Sequence, residues 1–181
     1  MSNTANLIFE LDAHKQIQEV IVRYARAVDR CDRELIMSTF HPDGWDDHGV
    51  FSGTPEDFAD WVIDVHLGLV WTSHYVTNMH IQLEGTTARV ESYVIANLRY
   101  EEDGKLFDLF GCGRYLDRFE YRDNKWLIAH RHAITDWNRV DPVEQQASGP
   151  ITDFLERGKR RTDDPSYAHF SGARPERRKI E

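Results

Sequence analysis

At 181 residues the chain is long enough for one domain with a sizeable core, and 40% hydrophobic with 29% charged residues is a globular composition. The formal net charge of −9 divides unevenly, with +2 on residues 151–181 and −11 on residues 1–150. That acidic body excludes the basic face that nucleic acid needs, and two cysteines, Cys31 and Cys112, exclude a disulfide framework or a zinc site of their own. No apolar run approaches the roughly 20 residues of a membrane span, and no basic-then-apolar leader opens the chain, so a cytoplasmic protein is expected. Aromatics at 12%, five of them Trp, can build a core or line a pocket for a flat apolar ligand.

In chain order, residues 1–12 read as an arm, with a first helical turn at Leu7–Leu11. Asp12 is a candidate cap for a main helix from His14 to about Asp32. Ile17, Val20, Ile21, Tyr24 and Val28 form its buried stripe, and Asp29 falls at the stripe's margin. Arg33–Phe40 reads as a second helix, stopped by His41-Pro42-Asp43-Gly44. A short polar strand or loop at Trp45–Phe51 precedes a third helix from Glu56 to about Leu69, capped by Thr54.

The period then switches to two. Four long strands follow at Trp71–Glu84, Ala88–Glu101, Leu106–Tyr121 and Trp126–Trp137, joined by turns that include the Asp103-Gly104 hairpin signal. The order predicts an α+β fold, a curved antiparallel sheet with three N-terminal helices across its open side, enclosing a cone-shaped pocket. Residues 1–141 form this domain. Residues 142–181 are a C-terminal arm and charged tail, partly flexible, in which Lys159-Arg160-Arg161 and Arg177-Arg178-Lys179 read as solvated.

Several residue types could carry chemistry. Alternation on the first long strand puts His74, Asn78 and His80 on one face, either solvated or facing a site. Histidine is the commonest general base, and a carboxylate on its Nδ1–H fixes the tautomer and raises basicity. Trp45-Asp46-Asp47-His48-Gly49 is either a solvated loop or a polar cluster at the cavity mouth, with His48 a candidate acid. Arg131 sits on a face with Leu127, Ala129 and Ala133, so it must pair with a buried acid such as Asp29 or meet an anion in a substrate. His130 and His132 share the other face. A metal there would need a third ligand, and none is assigned. Trp45, Trp71, Tyr93, Phe110 and Tyr115 are core, pocket wall, or a mixture of both.

Tyr24 and Asp29, the strand run Ser73-His74-Tyr75-Val76-Thr77-Asn78, the run Gly113–Phe119 and Trp126–Arg131 together resemble the SnoaL-like branch of the nuclear-transport-factor-2 superfamily over residues 10 to 140. The set is most similar to the cofactor-free lyases scytalone dehydratase, hexachlorocyclohexane dehydrochlorinase and bile-acid 7α-dehydratase. The resemblance implies an Asp29–His74 pair that removes a proton beside a leaving group, with Tyr24 and Arg131 in the pocket. The chain departs from the bile-acid enzyme in offering Ala96 and Asn97 where that enzyme has a second carboxylate. The dehydrochlorinase's lysine is also missing.

The expectation is a lyase without cofactor, acting on a bulky aromatic or polycyclic alcohol and releasing water or formaldehyde. His48, Tyr24 or Arg131 would assist departure, and Asp47, Asn78 and Asn97 join the aromatics as substrate contacts. A ketosteroid-isomerase-like isomerase and a non-catalytic binding or assembly subunit are the alternatives, because fold does not fix function. The resemblance also implies a homo-oligomer, trimer before dimer, in which residues 138–160 clasp a neighbour.

Overall fold

A computed structural model describes residues 3–153 and 155–172. Helices α1 (Asn3–Arg30) and α2 (Arg33–Met37) lead into strands β1 (Phe40–Asp47) and β2 (Ser52–Gly53) and helix α3 (Pro55–Leu67). Four long strands follow: β3 (Trp71–Glu84), β4 (Thr87–Glu102), β5 (Lys105–Arg122) and β6 (Lys125–Pro142). Helix α4 (Pro150–Asp153), a 3-10 turn at Arg161–Asp163 and helix α5 (Pro165–Phe170) end the described chain. The strands make one open, curved sheet in the order β2-β1-β6-β5-β4-β3, and α1 crosses β3 and β6. This is the expected α+β cone. One pairing departs from an antiparallel sheet: β1 runs parallel to β6. Helix α3 and three long strands separate the two in sequence, so no tight turn dictates the opposite sense.

The helices follow their apolar spacing. Ile17, Val20, Ile21, Tyr24 and Val28 are all buried, together with Asp29. Residues 3–12 of the expected arm are instead the start of α1, which includes the helical turn expected at Leu7–Leu11. Its Leu7, Ile8 and Leu11 are each more than half exposed, so they leave no burial pattern to read. Asp12 lies inside that helix and accepts from Gln16 Nε2 (2.7 Å) rather than capping it. Asp32 caps α2 and Thr54 caps α3, each accepting the backbone N–H three residues on. Strand β1 starts at Phe40 in spite of Pro42, and its register with β6 slips between Phe40 and Trp45, where the proline sits. Asp103 (φ +51°) and Gly104 (φ +72°) make the left-handed pair of a type I′ hairpin.

Bulges decide which residues face the cone. The β3–β4 register slips between Thr77 and His80, and Asn78 takes φ +48°. Before the slip His74 lies beside the fully buried Thr72 and the core-packed Val76. After it Met79, Ile81 and Leu83 pack on the core while Asn78 and His80 are exposed. The shared face expected for His74, Asn78 and His80 is thus corrected: one inserted residue reverses the alternation. A second slip pairs Phe119 with Ile128 but Arg118 with His130, leaving Ala129 extra. Arg131 therefore follows Trp126 and Ile128 inward rather than Leu127. At Gly113 any Cβ would lie 2.1 Å from the Ile134 carbonyl oxygen, so only glycine permits that strand approach.

Beyond β6, the C-terminal segment folds back onto its own α1. Arg26 donates to Ser166 Oγ (2.8 Å) and lies over the Tyr167 ring (4.8 Å). Arg30 donates to the Lys159 carbonyl (3.0 Å) and meets Asp164 (3.4 Å), and the Tyr167 hydroxyl bonds Asp32. Residues 138–142 belong to β6, and residues 159–167 lie on the same chain's helix. The run Arg177-Arg178-Lys179 lies outside the described residues. No helix among the described residues is long and apolar enough to cross a membrane.

Candidate active site

The last turn of α1 delivers Asp29, only 6% exposed, to the start of β3. Its Oδ1 accepts from His74 Nδ1 (2.8 Å) and from the Thr72 hydroxyl (3.3 Å), and its Oδ2 accepts from the His74 backbone N–H (3.0 Å). A carboxylate accepts only, so Nδ1 carries a proton, and in the neutral imidazole the lone pair is then on Nε2. Nε2 has no protein partner among the described residues, and the side chain is 11% exposed. A second imidazole lies alongside, with the His66 and His74 rings 5.5 Å apart. His66 Nδ1 donates to the Val28 carbonyl (3.3 Å), and burial lowers its pKa to about 4, so it stays neutral next to His74.

A second Asp–His pair stands at the end of β1, Asp46 within the strand and His48 just after it. His48 Nδ1 bonds the fully buried Asp46, and the His48 ring stacks on Phe58 at 5.0 Å. Asp46 Oδ2 is buried without a partner among the described residues. Arg131, opposite Asp46 in the parallel register, forms a two-pronged pair with Asp117 (2.7 Å each), both side chains wholly buried. Its guanidinium lies 4.0 Å from the Tyr24 ring and 4.1 Å from the Tyr115 ring, and its Nη1 is buried without a protein partner. Burial raises the Tyr115 pKa to about 12 and pushes Tyr24 well above its usual value, so both hydroxyls keep their protons. Aromatic rings fill the centre of the cone: Tyr24 stacks on Phe58 (6.0 Å) and meets Tyr115 (5.8 Å) and Phe40 (6.0 Å). Open cavities of about 550 Å³ beside Arg23 and Phe170 and about 810 Å³ beside Arg33 and Tyr167 lie elsewhere, and neither is lined by Asp29 or His74.

Of the residues singled out in the sequence, Asp29 pairs with His74, while Tyr24, His48, Tyr115 and Arg131 pack together as a second group. Others fall on the opposite face. Ala96 pairs with His74, so its neighbour Asn97 points away, and Asn97 pairs with Phe110, which stacks on the half-exposed Trp137 (5.7 Å). Tyr93 (42% exposed) pairs with Arg114, Trp45 (44% exposed) gives its indole N–H to Ser52 Oγ, and Asp47 meets His132 (3.5 Å) on the outside. Asn78 is exposed at its bulge, and Trp71 lies under Arg30 and Arg160 of the C-terminal segment's contact. His130 and His132 face outward, and no group of three metal-ligand side chains occurs among the described residues. Sequence reading missed Asp46, Asp117, Thr72, His66 and Arg160. Asp117 carried a legible signal, since it alternates with Tyr115 and Phe119. Asp46 needed the parallel β1–β6 register, which sequence spacing does not contain.

The SnoaL-like domain model matches residues 10–132. Similar solved structures include a putative scytalone dehydratase from Novosphingobium aromaticivorans (23% identity, TM-score 0.62, covering 81% of this chain and 97% of that one). A type 3 hexachlorocyclohexane dehydrochlorinase from Novosphingobium barchaimii is 16% identical (TM-score 0.66, 78% and 97%). The Kfla4162 protein from Kribbella flavida is 14% identical (TM-score 0.66, 72% and 95%). No curated protein matches the chain in sequence. At these identities the structural likeness speaks for the fold, and the match across residues 10–132 places the chain in the SnoaL-like family.

Proposed function

We propose that the protein is a cofactor-independent lyase in which His74 is the general base. The observation that carries this reading is the Asp29–His74 pair, an imidazole held by its Nδ1–H (2.8 Å) with Nε2 left unbonded. The base takes a proton from a carbon, or from a hydroxyl, of an aromatic or polycyclic alcohol. The electron pair forms the new double bond as the C–O bond breaks, and protonated His48 gives its proton to the departing hydroxide, so water leaves. His74 then returns its proton to solvent, and His48 takes one back. When the proton comes from a primary hydroxyl instead, the C–C bond breaks, formaldehyde leaves, and the carbanion left behind takes the proton back from His74. Arg131 is committed to Asp117, and its part is to hold the Tyr24 and Tyr115 rings and to raise the potential near developing negative charge.

An isomerase is the second reading, favoured by one feature. Two buried tyrosines that keep their protons can donate to an enolate oxygen. Incubating the purified protein with a β-hydroxy aryl ketone and with an aryl-substituted diol, followed by mass spectrometry, separates the outcomes. Loss of water or formaldehyde supports the lyase, and proton exchange at constant mass supports the isomerase. Turnover retained in both His74→Ala and Asp29→Asn overturns the base assignment. The family resemblance also supports a homo-oligomer, trimer before dimer, which light scattering on the full chain tests.

A further inference from the structure

Arg160 sits outside the matched family segment, yet its side chain reaches the heart of the proposed site. Its Nη1 donates one hydrogen to the Asp29 backbone carbonyl (2.6 Å) and the other to Thr72 Oγ1 (2.6 Å). Both acceptors are neutral oxygens, and Arg160 makes no ion pair among the described residues, so the contact is not there for simple charge pairing. The placement of the side chain is fixed on both sides of the preceding residue. The Lys159 N–H donates to Asp164 Oδ2 (2.8 Å), and its carbonyl accepts from Arg30 (3.0 Å).

The direction of each bond follows from donor chemistry. A guanidinium only donates, so Thr72 Oγ1 must accept from Arg160. Thr72 is wholly buried, and its single hydroxyl hydrogen is then left with one acceptor, Asp29 Oδ1 at 3.3 Å. That is the oxygen that also accepts from His74 Nδ1. The carbonyl Arg160 binds is one of the unpaired ones in the last turn of α1, where a cation is favoured. One residue of the C-terminal segment thus orients the hydroxyl and clamps the backbone of the carboxylate that holds the base.

We propose that Arg160 is a positioning residue for the Asp29–His74 pair, acting through the Thr72 hydroxyl, and that the C-terminal segment is therefore part of the working site rather than a tail. The inference rests on the reading of Asp29–His74 as the working pair. Its test is imidazole nitrogen and proton NMR on the full-length protein labelled in histidine, with the His74 signals identified by their loss in His74→Gln. In wild type, His74 shows a slowly exchanging Nδ1–H at low field. Arg160→Ala and Thr72→Val each move that proton upfield and speed its exchange, and the double variant moves it no further than either alone. Thr72→Ser keeps the wild-type signal. On a turned-over substrate, Arg160→Ala loses roughly tenfold in kcat with KM little changed, the size of one hydrogen bond near a charge, and loses nothing more in the Thr72→Val background.

A purely structural Arg160 would lower the melting temperature of Arg160→Ala while leaving the His74 signal in place, and that result overturns the proposal. So do additive shifts in the double variant, or no shift in Thr72→Val. Absence of a His74 Nδ1–H signal in wild type overturns the pair itself, and with it the reading beneath; a signal present but deaf to Arg160 overturns only this inference.

Discussion

Two aspartate–histidine pairs lie inside the cone, and they are built differently. Asp29 and His74 come from a helix and a strand far apart in sequence, and both oxygens of Asp29 are bonded, to three donors in all. Asp46, near the end of β1, and His48, just beyond it, are two residues apart in sequence, and Asp46 keeps one buried oxygen with no partner among the described residues. The first pair is held by the fold and cannot drift without breaking it. The second is local, and its unused acceptor leaves room for a hydrogen from elsewhere. On the proposed mechanism, preorganisation of this kind separates a base that must be aimed from an acid that needs only to be near.

The largest test of this contrast is on turnover. Asp29→Asn and His74→Ala should each cost about 10³-fold or more, whereas His48→Ala should cost roughly 10²-fold, as expected for an assisting acid. Next comes the ion pair between them. Asp117→Asn strands a wholly buried guanidinium and should lower stability by about 3–5 kcal/mol in denaturant titration, while Asp117→Leu combined with Arg131→Met should fold close to wild type.

Acid titration comes third. His66 has a folded pKa of about 4 against an ordinary 6.5, so between these values the unfolded chain binds the extra proton and stability rises with pH. Acidification across that window should cost up to about 3 kcal/mol, with no further loss from this group below it, and His66→Gln should flatten the slope. His41, also lowered chiefly by burial, adds a slope of the same sign. The smallest effects sharpen the comparison most directly. Asn at position 29 would set an NH2 against donors and cost about 2 kcal/mol, whereas Asp46→Asn, with an acceptor to spare, should change the melting temperature little.

The elements that bury a regular apolar pattern were legible in the chain. Strand β3 begins and ends where the alternation does, the stripe from Ile17 to Val28 is the buried face of α1, and the Asp103-Gly104 turn forms as its residues dictate. The continuity of the Leu7–Leu11 turn with the rest of α1 was not legible, because Leu7, Ile8 and Leu11 are more than half exposed and extend no buried stripe. Within the site, Asp29, His74, His48 and Arg131 could be named from residue type and family resemblance, but the partner of Arg131 could not, since it required the β5–β6 register across a bulge. Arg160 gave no signal at all. It sits in a charged run whose neighbours are exposed or half-exposed, and only the anchoring of Lys159 turns it inward. Tyr93 and Phe110 read as pocket wall because they are aromatics in strands, and Asn97 as a substrate contact from the family resemblance. Strand parity relative to His74 puts them outside.

The slip at Asn78 has a consequence for how this strand tolerates change. Because a single inserted residue separates the half that carries His74 from the half that carries Met79, Ile81 and Leu83, the strand behaves like two messages in different frames. Deleting one residue between Thr77 and Met79 would restore an unbroken alternation and turn one message inside out, either expelling the imidazole or wetting three core side chains. Substitutions along β3 can be absorbed one at a time, but its length between those two halves cannot vary at all.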